Sequence, residues 1–125
     1  MAEVIFYRCN KCGNLVYVVN KGTCVPQCCG EPMEKLEAGS TDAATEKHVP
    51  EVCREDGKIK VQVGSVEHPM MEKHFIQWIA LAAEDRVEIK YLHPDQAPVA
   101  EFADNGGDVT VYEYCNLHGL WKAEA

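Results

Sequence analysis

Hydrophobic and polar positions alternate along much of this chain. In KIKVQV (58–63), Ile59, Val61 and Val63 fall on one side of the backbone while Lys58, Lys60 and Gln62 fall on the other. That period of two marks a strand with one covered face. DVTVYEY (108–114) alternates similarly, and RVEIKYL (86–92) and PVAEFAD (98–104) predict further strands. HFIQWIALAAE (74–84) suits either a buried strand or a helix, and the strands around it favour the former. Pro50, Pro69, Pro94 and Pro98, with Gly64 and the Gly106-Gly107 pair, punctuate these runs. Several short strands with frequent turn signals predict an all-β sandwich or barrel. No internal repeat or low-complexity tract interrupts them.

Nearer the N-terminus the texture changes. VIFYR (4–8) and NLVYVV (14–19) read as strands flanking a first cysteine pair, and KGTCVPQ (21–27) reads as a turn-rich return. Five cysteines, Cys9, Cys12, Cys24, Cys28 and Cys29, crowd into this part. The small, acidic, weakly patterned stretch LEAGSTDAATE (36–46) follows, and all five histidines, both tryptophans and only two cysteines lie beyond it. The shift predicts two domains, 1–36 and 37–125. The first falls below the ~40 residues at which a chain usually needs a metal, a disulfide or a partner to fold.

Composition narrows the function. With 125 residues, 46% hydrophobic and 26% charged, the chain reads as a soluble globular protein. No apolar run approaches the ~20 residues that span a bilayer, and MAEVIFYRCNKC lacks the basic start and apolar stretch of a secretory signal. The expectation is a cytoplasmic protein with no membrane partner. A net charge of −8 argues against nucleic acid, because neutralising phosphates needs a basic face. Seven cysteines are many for a reducing compartment, and an odd number resists complete pairing, so metal ligation explains them better.

Cys9 and Cys12 form a C-x-x-C knuckle, and Cys28 and Cys29 add an adjacent pair. Four thiolates in a tetrahedron suit zinc or iron, and spacing leaves the two open. Neighbouring side chains on an extended strand point to opposite faces, so Cys28 and Cys29 converge only if the backbone turns there. Pro26 and Gly30 flank the pair and permit that turn. Cys24 lies outside the pattern and is expected to be a small buried hydrophobe.

The second cluster is rich in imidazole. EKHVP (46–50), HPMMEKH (68–74) and CNLH (115–118) each set a candidate ligand beside turn punctuation, where a side chain can leave the sheet face. Pro69 keeps His68 and His74 from forming a helical pair, so both read as loop ligands between strands. Together these segments offer His48, His68, His74, His118 and Cys115. His93, in YLHPDQ, sits in an ordinary turn and is left out. A structural zinc needs four ligands, so four imidazoles and a thiolate point elsewhere.

At this point the ordered motifs become specific. CxxC and CCGEPM at the front, then EKHVP, VGSVEHPM, EKHFIQWI and EYCNLHG, make the whole chain similar to the desulfoferrodoxin family of two-iron superoxide reductases. The resemblance implies a small desulforedoxin-like metal module followed by an immunoglobulin-like β-sandwich. It assigns iron to Cys9, Cys12, Cys28 and Cys29. It assigns a second iron to equatorial His48, His68, His74 and His118 with Cys115 as the axial donor, the sixth position being open in the ferrous state.

The implied reaction is the one-electron reduction of superoxide to hydrogen peroxide, a detoxifying step. The thiolate would donate electron density opposite the open position. Lys47 would attract superoxide and orient a proton-donating water, and Glu46 would close the sixth position after product leaves. Without the resemblance, Glu46 and Lys47 would read as an exposed charge pair of little consequence. The resemblance also implies a homodimer and a rubredoxin-like electron donor. Cys24 and Cys53 depart from the pattern, as does Leu120, where a histidine is expected. The competing reading is a non-catalytic electron-transfer protein with two metal centres.

Overall fold

The computed structural model describes residues 4–39, 45–65 and 68–125. Two compact units divide the chain, Val4–Glu37 and Ala38–Ala125. In the first, β1 (Phe6–Arg8) pairs antiparallel with β2 (Leu15–Tyr17) on one side and β5 (Glu34–Lys35) on the other. Between them a separate two-stranded hairpin joins β3 (Gln27–Cys28) to β4 (Glu31–Pro32). Only Phe6, Cys9 and Met33 are buried among the apolar side chains of this unit, too few for a core of ordinary size.

The larger unit opens with α1 (Thr45–His48), a single helical turn and the one helix among the described residues. It then builds two antiparallel sheets. One has the order β10 (Val99–Ala103), β7 (Lys58–Val63), β6 (Pro50–Glu55). The other has the order β12 (Gly119–Glu124), β11 (Thr110–Cys115), β8 (Ile76–Ala82), β9 (Val87–Tyr91). Seven strands in a three-plus-four arrangement make the expected immunoglobulin-like β-sandwich, and the chain as a whole is all-β. Ile59, Val61 and Val63 from β7 pack with Phe102 of β10 and with Ile79, Leu81 and Val111 of the opposite sheet. Each such side chain stabilises by ~1.5–3 kcal/mol when fully covered.

HFIQWIALAAE forms a strand, as its neighbours suggested. The expected one-sided alternation of DVTVYEY is corrected, however, since every residue of β11 is buried. Two strands escape the alternation signal. In β6 three of the six residues are charged, and only Pro50 is buried. In β12 Leu120 and Trp121 are adjacent and both buried, which a period of two cannot report.

The four-stranded sheet breaks its regular pairing at one end. Tyr114 pairs with Trp78 but Cys115 pairs with Ile76, so the register shifts by a residue at the end of β11. A bulge of this kind re-aims the side chains beside it. The strand thus delivers Cys115, itself part of the hydrophobic core, to the end of the sandwich where the histidines gather.

Candidate metal centres

The smaller cluster is built from two turns. After β1 the backbone folds back through hydrogen bonds from Gly13 N to Cys9 O (2.9 Å) and from Cys9 N to Asn14 O (2.8 Å). Gly13 takes a φ of 84° there, a conformation glycine adopts without steric cost. This knuckle aims Cys12 N at Cys9 Sγ, 3.5 Å away. Backbone N–H groups of Cys12 and Lys11 hold the Cys9 thiol down at about 6.

The adjacent pair converges because Cys29 (φ 53°) and Gly30 (φ 75°) are the two-residue loop between β3 and β4. Two consecutive positive φ values mark a primed hairpin turn. Cys12 Sγ and Cys28 Sγ lie 3.6 Å apart, and Cys28 Sγ and Cys29 Sγ 3.9 Å. Hydrogen bonding with Cys12 and then Cys28 pushes Cys29 up to about 12. All four sulfur atoms lie within 4.8 Å of one another. Such a set has the number, softness and spacing of donors that one tetrahedral ion takes. Cys24 is exposed rather than buried, which corrects the expectation for it. Its neighbour Thr23 Oγ1 is 3.8 Å from its sulfur. Cys53 is exposed on β6.

In the larger unit the imidazoles close a ring. Centroids are separated by 4.6 Å from His48 to His68, 4.7 Å from His68 to His74, 5.0 Å from His74 to His118 and 4.9 Å from His118 to His48. Interplanar angles between 62° and 82° turn each ring edge toward the next. Cys115 Sγ lies 3.5 Å from His68 Nε2 and 3.9 Å from His118 Nδ1. One donor atom each from His48, His68, Cys115 and His118 falls within a mutual 4.8 Å. His74 stands outside that tightest set but completes the ring, with Nε2 buried and without a hydrogen-bond partner.

Local sequence explains each placement. YCNLHG makes the hairpin from β11 to β12, with Cys115 paired to Gly119 and Gly119 at φ 78°. A three-residue loop closed by a left-handed glycine is a common hairpin solution. It turns His118 back toward Cys115, whose sulfur receives the backbone N–H groups of Leu117 and His118. His48 ends α1, and His68 and His74 lie in the connection between β7 and β8. His93 is exposed in a turn with its N–H bonded to Gln96.

Tautomer and charge are set by the surroundings. His68 Nδ1 meets Pro69 O at 2.6 Å, so that nitrogen carries the proton and Nε2 keeps its lone pair. Burial, then the neighbouring imidazoles and Lys47, lower His48 to about 4. Burial lowers His68 to about 4 and also lowers His74. These rings are therefore neutral donors at neutral pH. Burial pushes the Cys115 thiol up, so a cation bound there must displace its proton. Lys47 is exposed on α1, while the Glu46 side chain lies outside what is described.

Two further residues of the site escaped the sequence reading. Glu113 is wholly buried, burial pushes it up to about 9, and Oε2 stands 3.6 Å from His48 Nδ1. Its signal was the alternation itself, since Val109, Val111 and Glu113 share one parity and a carboxylate occupied a core-facing position. Trp121 stacks on His48 at 5.0 Å and 15° and donates Nε1–H to His118 O at 3.0 Å. Nothing short of the sheet register could reveal that contact.

Comparison with known proteins gives a consistent answer. The desulfoferrodoxin family profile matches residues 40–124, and the profile for the desulfoferrodoxin N-terminal domain matches residues 2–36. A desulfoferrodoxin of Desulfarculus baarsii is 49% identical over 118 residues, covering 94% of each chain. That of Nitratidesulfovibrio vulgaris is 50% identical over 119 residues, covering 95% of this chain and 94% of its own. Among solved structures, the superoxide reductase from Treponema pallidum superposes with a TM-score of 0.78 at 35% identity, covering 97% of this chain and 98% of that one.

Proposed function

The chain belongs to the desulfoferrodoxin family, and on that premise we propose that it is a superoxide reductase. Superoxide takes up one electron and two protons to give hydrogen peroxide, and no oxygen is released. The observation that carries this reading is the closed ring of four imidazoles beside one buried cysteine sulfur. His48, His68, His74, His118 and Cys115 would hold one iron, and Cys9, Cys12, Cys28 and Cys29 the other. The orphaned His74 Nε2 and the neutral state of the buried rings fit a cation among them. When bound, that iron supplies the transferred electron and a positive pole for an anionic substrate.

The chain's own groups do the rest. Neutral imidazoles add no negative charge to the site, so its field remains attractive to an anion. Lys47, whose positive charge is felt by His48, His68 and His74, draws superoxide in and offers a proton at Nζ through water. Glu46, its neighbour on α1, would offer a carboxylate as a further donor to the iron between turnovers. Trp121 and the core residues behind Cys115 keep bulk water from the thiolate side. Residues 1–36 act as the smaller iron module and 37–125 as the catalytic domain. We further assign a cytoplasmic setting, a homodimer and a small rubredoxin-like electron donor, which the family resemblance supports.

Stopped-flow mixing of anaerobically reduced, iron-quantified protein with superoxide tests the proposal. One hydrogen peroxide per superoxide, without oxygen, is the expected outcome. Oxygen release with no external reductant would make the protein a dismutase instead. Failure of the second centre to react, or to bind azide, would leave a two-centre electron carrier.

A further inference from the structure

His74 is carried by an irregular connection, yet the peptide groups on both sides of it are engaged. Its own N–H and C=O bond to Met71 at 3.0 and 2.9 Å. The flanking groups belong to Asn116, which lies on the opposite loop between Cys115 and His118. Asn116 Nδ2 donates to Lys73 O at 3.0 Å, and Phe75 N donates to Asn116 Oδ1 at 2.9 Å. Asn116 N reaches Phe75 O at 3.3 Å. Both ends of one carboxamide therefore grip the peptide groups immediately before and after His74. This side chain resumes the coupling between the two segments just beyond the bulge, where the β8–β11 ladder gives out.

We propose that Asn116 is a positioning residue that fixes His74 relative to Cys115 before any metal arrives. The inference rests on His74 and Cys115 serving as ligands of one iron, and deepens that assignment. An imidazole on a loose loop would have to be ordered at the cost of metal affinity, whereas a clamped one is preorganised. No other residue type of this size provides a donor and an acceptor in the fixed geometry of a peptide group. Aspartate keeps the acceptor and loses the donor, and alanine loses both.

The test uses the metal-free full chain of the parent protein, Asn116→Ala, Asn116→Asp and His74→Ala, each titrated anaerobically with ferrous iron. The four-cysteine centre serves as an internal standard. Asn116→Ala should weaken iron binding at the second centre about 10- to 100-fold, the range for residues that orient ligands. Asn116→Asp should fall between it and the parent. The four-cysteine centre should be unchanged.

In the metal-free protein, the Phe75 amide should exchange with solvent faster in Asn116→Ala, while core amides of β8 and β11 keep their protection. Parent-like affinity and Phe75 protection in Asn116→Ala would overturn the proposal. So would a loss of core protection as large as the loss at Phe75, because the residue would then be holding the fold and not the ligand. Parent-like affinity in His74→Ala would overturn the ligand assignment itself, whatever the Asn116 variants did.

Discussion

Burial keeps His48 and His68 neutral, and the same burial protonates Glu113 beside them. The pH dependence of the metal-free protein follows from both. His48 and His68 are lowered from 6.5 to about 4, so between those values the unfolded chain holds more protons. Stability from these residues is complete above 6.5 and is lost as pH falls toward 4. Glu113 is raised from 4.5 to about 9, so the folded state holds the extra proton and this contribution declines as pH rises through that window. One group changes stability by at most ~1.4 kcal/mol per pH unit. Glu113→Gln should flatten the decline between about pH 7 and 9, read as urea midpoints of metal-free protein. An equally steep decline in the variant would show that another group causes it. Lys47 is simpler. A unit charge ~6 Å from the substrate contributes ~0.7 kcal/mol in water and ~3 kcal/mol at an effective dielectric of 20, or ~3-fold to ~100-fold in rate. Exposure of Lys47 favours the lower end, so Lys47→Ala should reduce the second-order rate with superoxide a few-fold and weaken its salt dependence. A variant with the parent rate and salt slope would place Lys47 outside the mechanism.

At the scale of elements, the site depends on a few left-handed residues. Gly119 closes the β11–β12 hairpin at φ 78°, and an L-residue there costs ~1–2 kcal/mol. Gly119→Ala should lower the urea midpoint of the sandwich and weaken iron retention at the second centre, with the four-cysteine centre unaffected. Gly119→Asn should do less, since asparagine tolerates this conformation better. Equal effects of the two substitutions would mean that space, and not φ, is limiting. Most strands were legible because alternation reports one covered face, as in β7. That signal failed for β6 because three of its six residues are charged and only Pro50 is covered. It misread β11 because both of its faces are covered, and no period distinguishes the two.

Across the whole molecule, the units differ in how they are held together. Residues 4–37 have three buried apolar side chains and rely on their four thiolates, whereas the sandwich has a continuous core. Chelation of both metals should therefore abolish amide protection in residues 4–37 while β7, β8 and β11 stay protected, as hydrogen exchange would show. Retained protection in the small unit would mean that its fold needs no metal. The overall charge of −8 is screened beyond ~8 Å at physiological salt, so on the proposed mechanism the local field of Lys47 would govern an approaching anion.

Short-range order along the chain was enough to announce the fold class, the C-x-x-C knuckle, the turn that brings Cys28 to Cys29, and the list of candidate ligands. Those features depend on residues a few positions apart, and backbone geometry alone relates them. The ring order of the histidines, the Trp121 stack, the buried carboxylate at His48 and the Asn116 clamp join segments distant in sequence. Sheet register and the bulge at Cys115 bring those segments together, because a side chain's neighbours across a sandwich are set by packing, which leaves no period in the sequence.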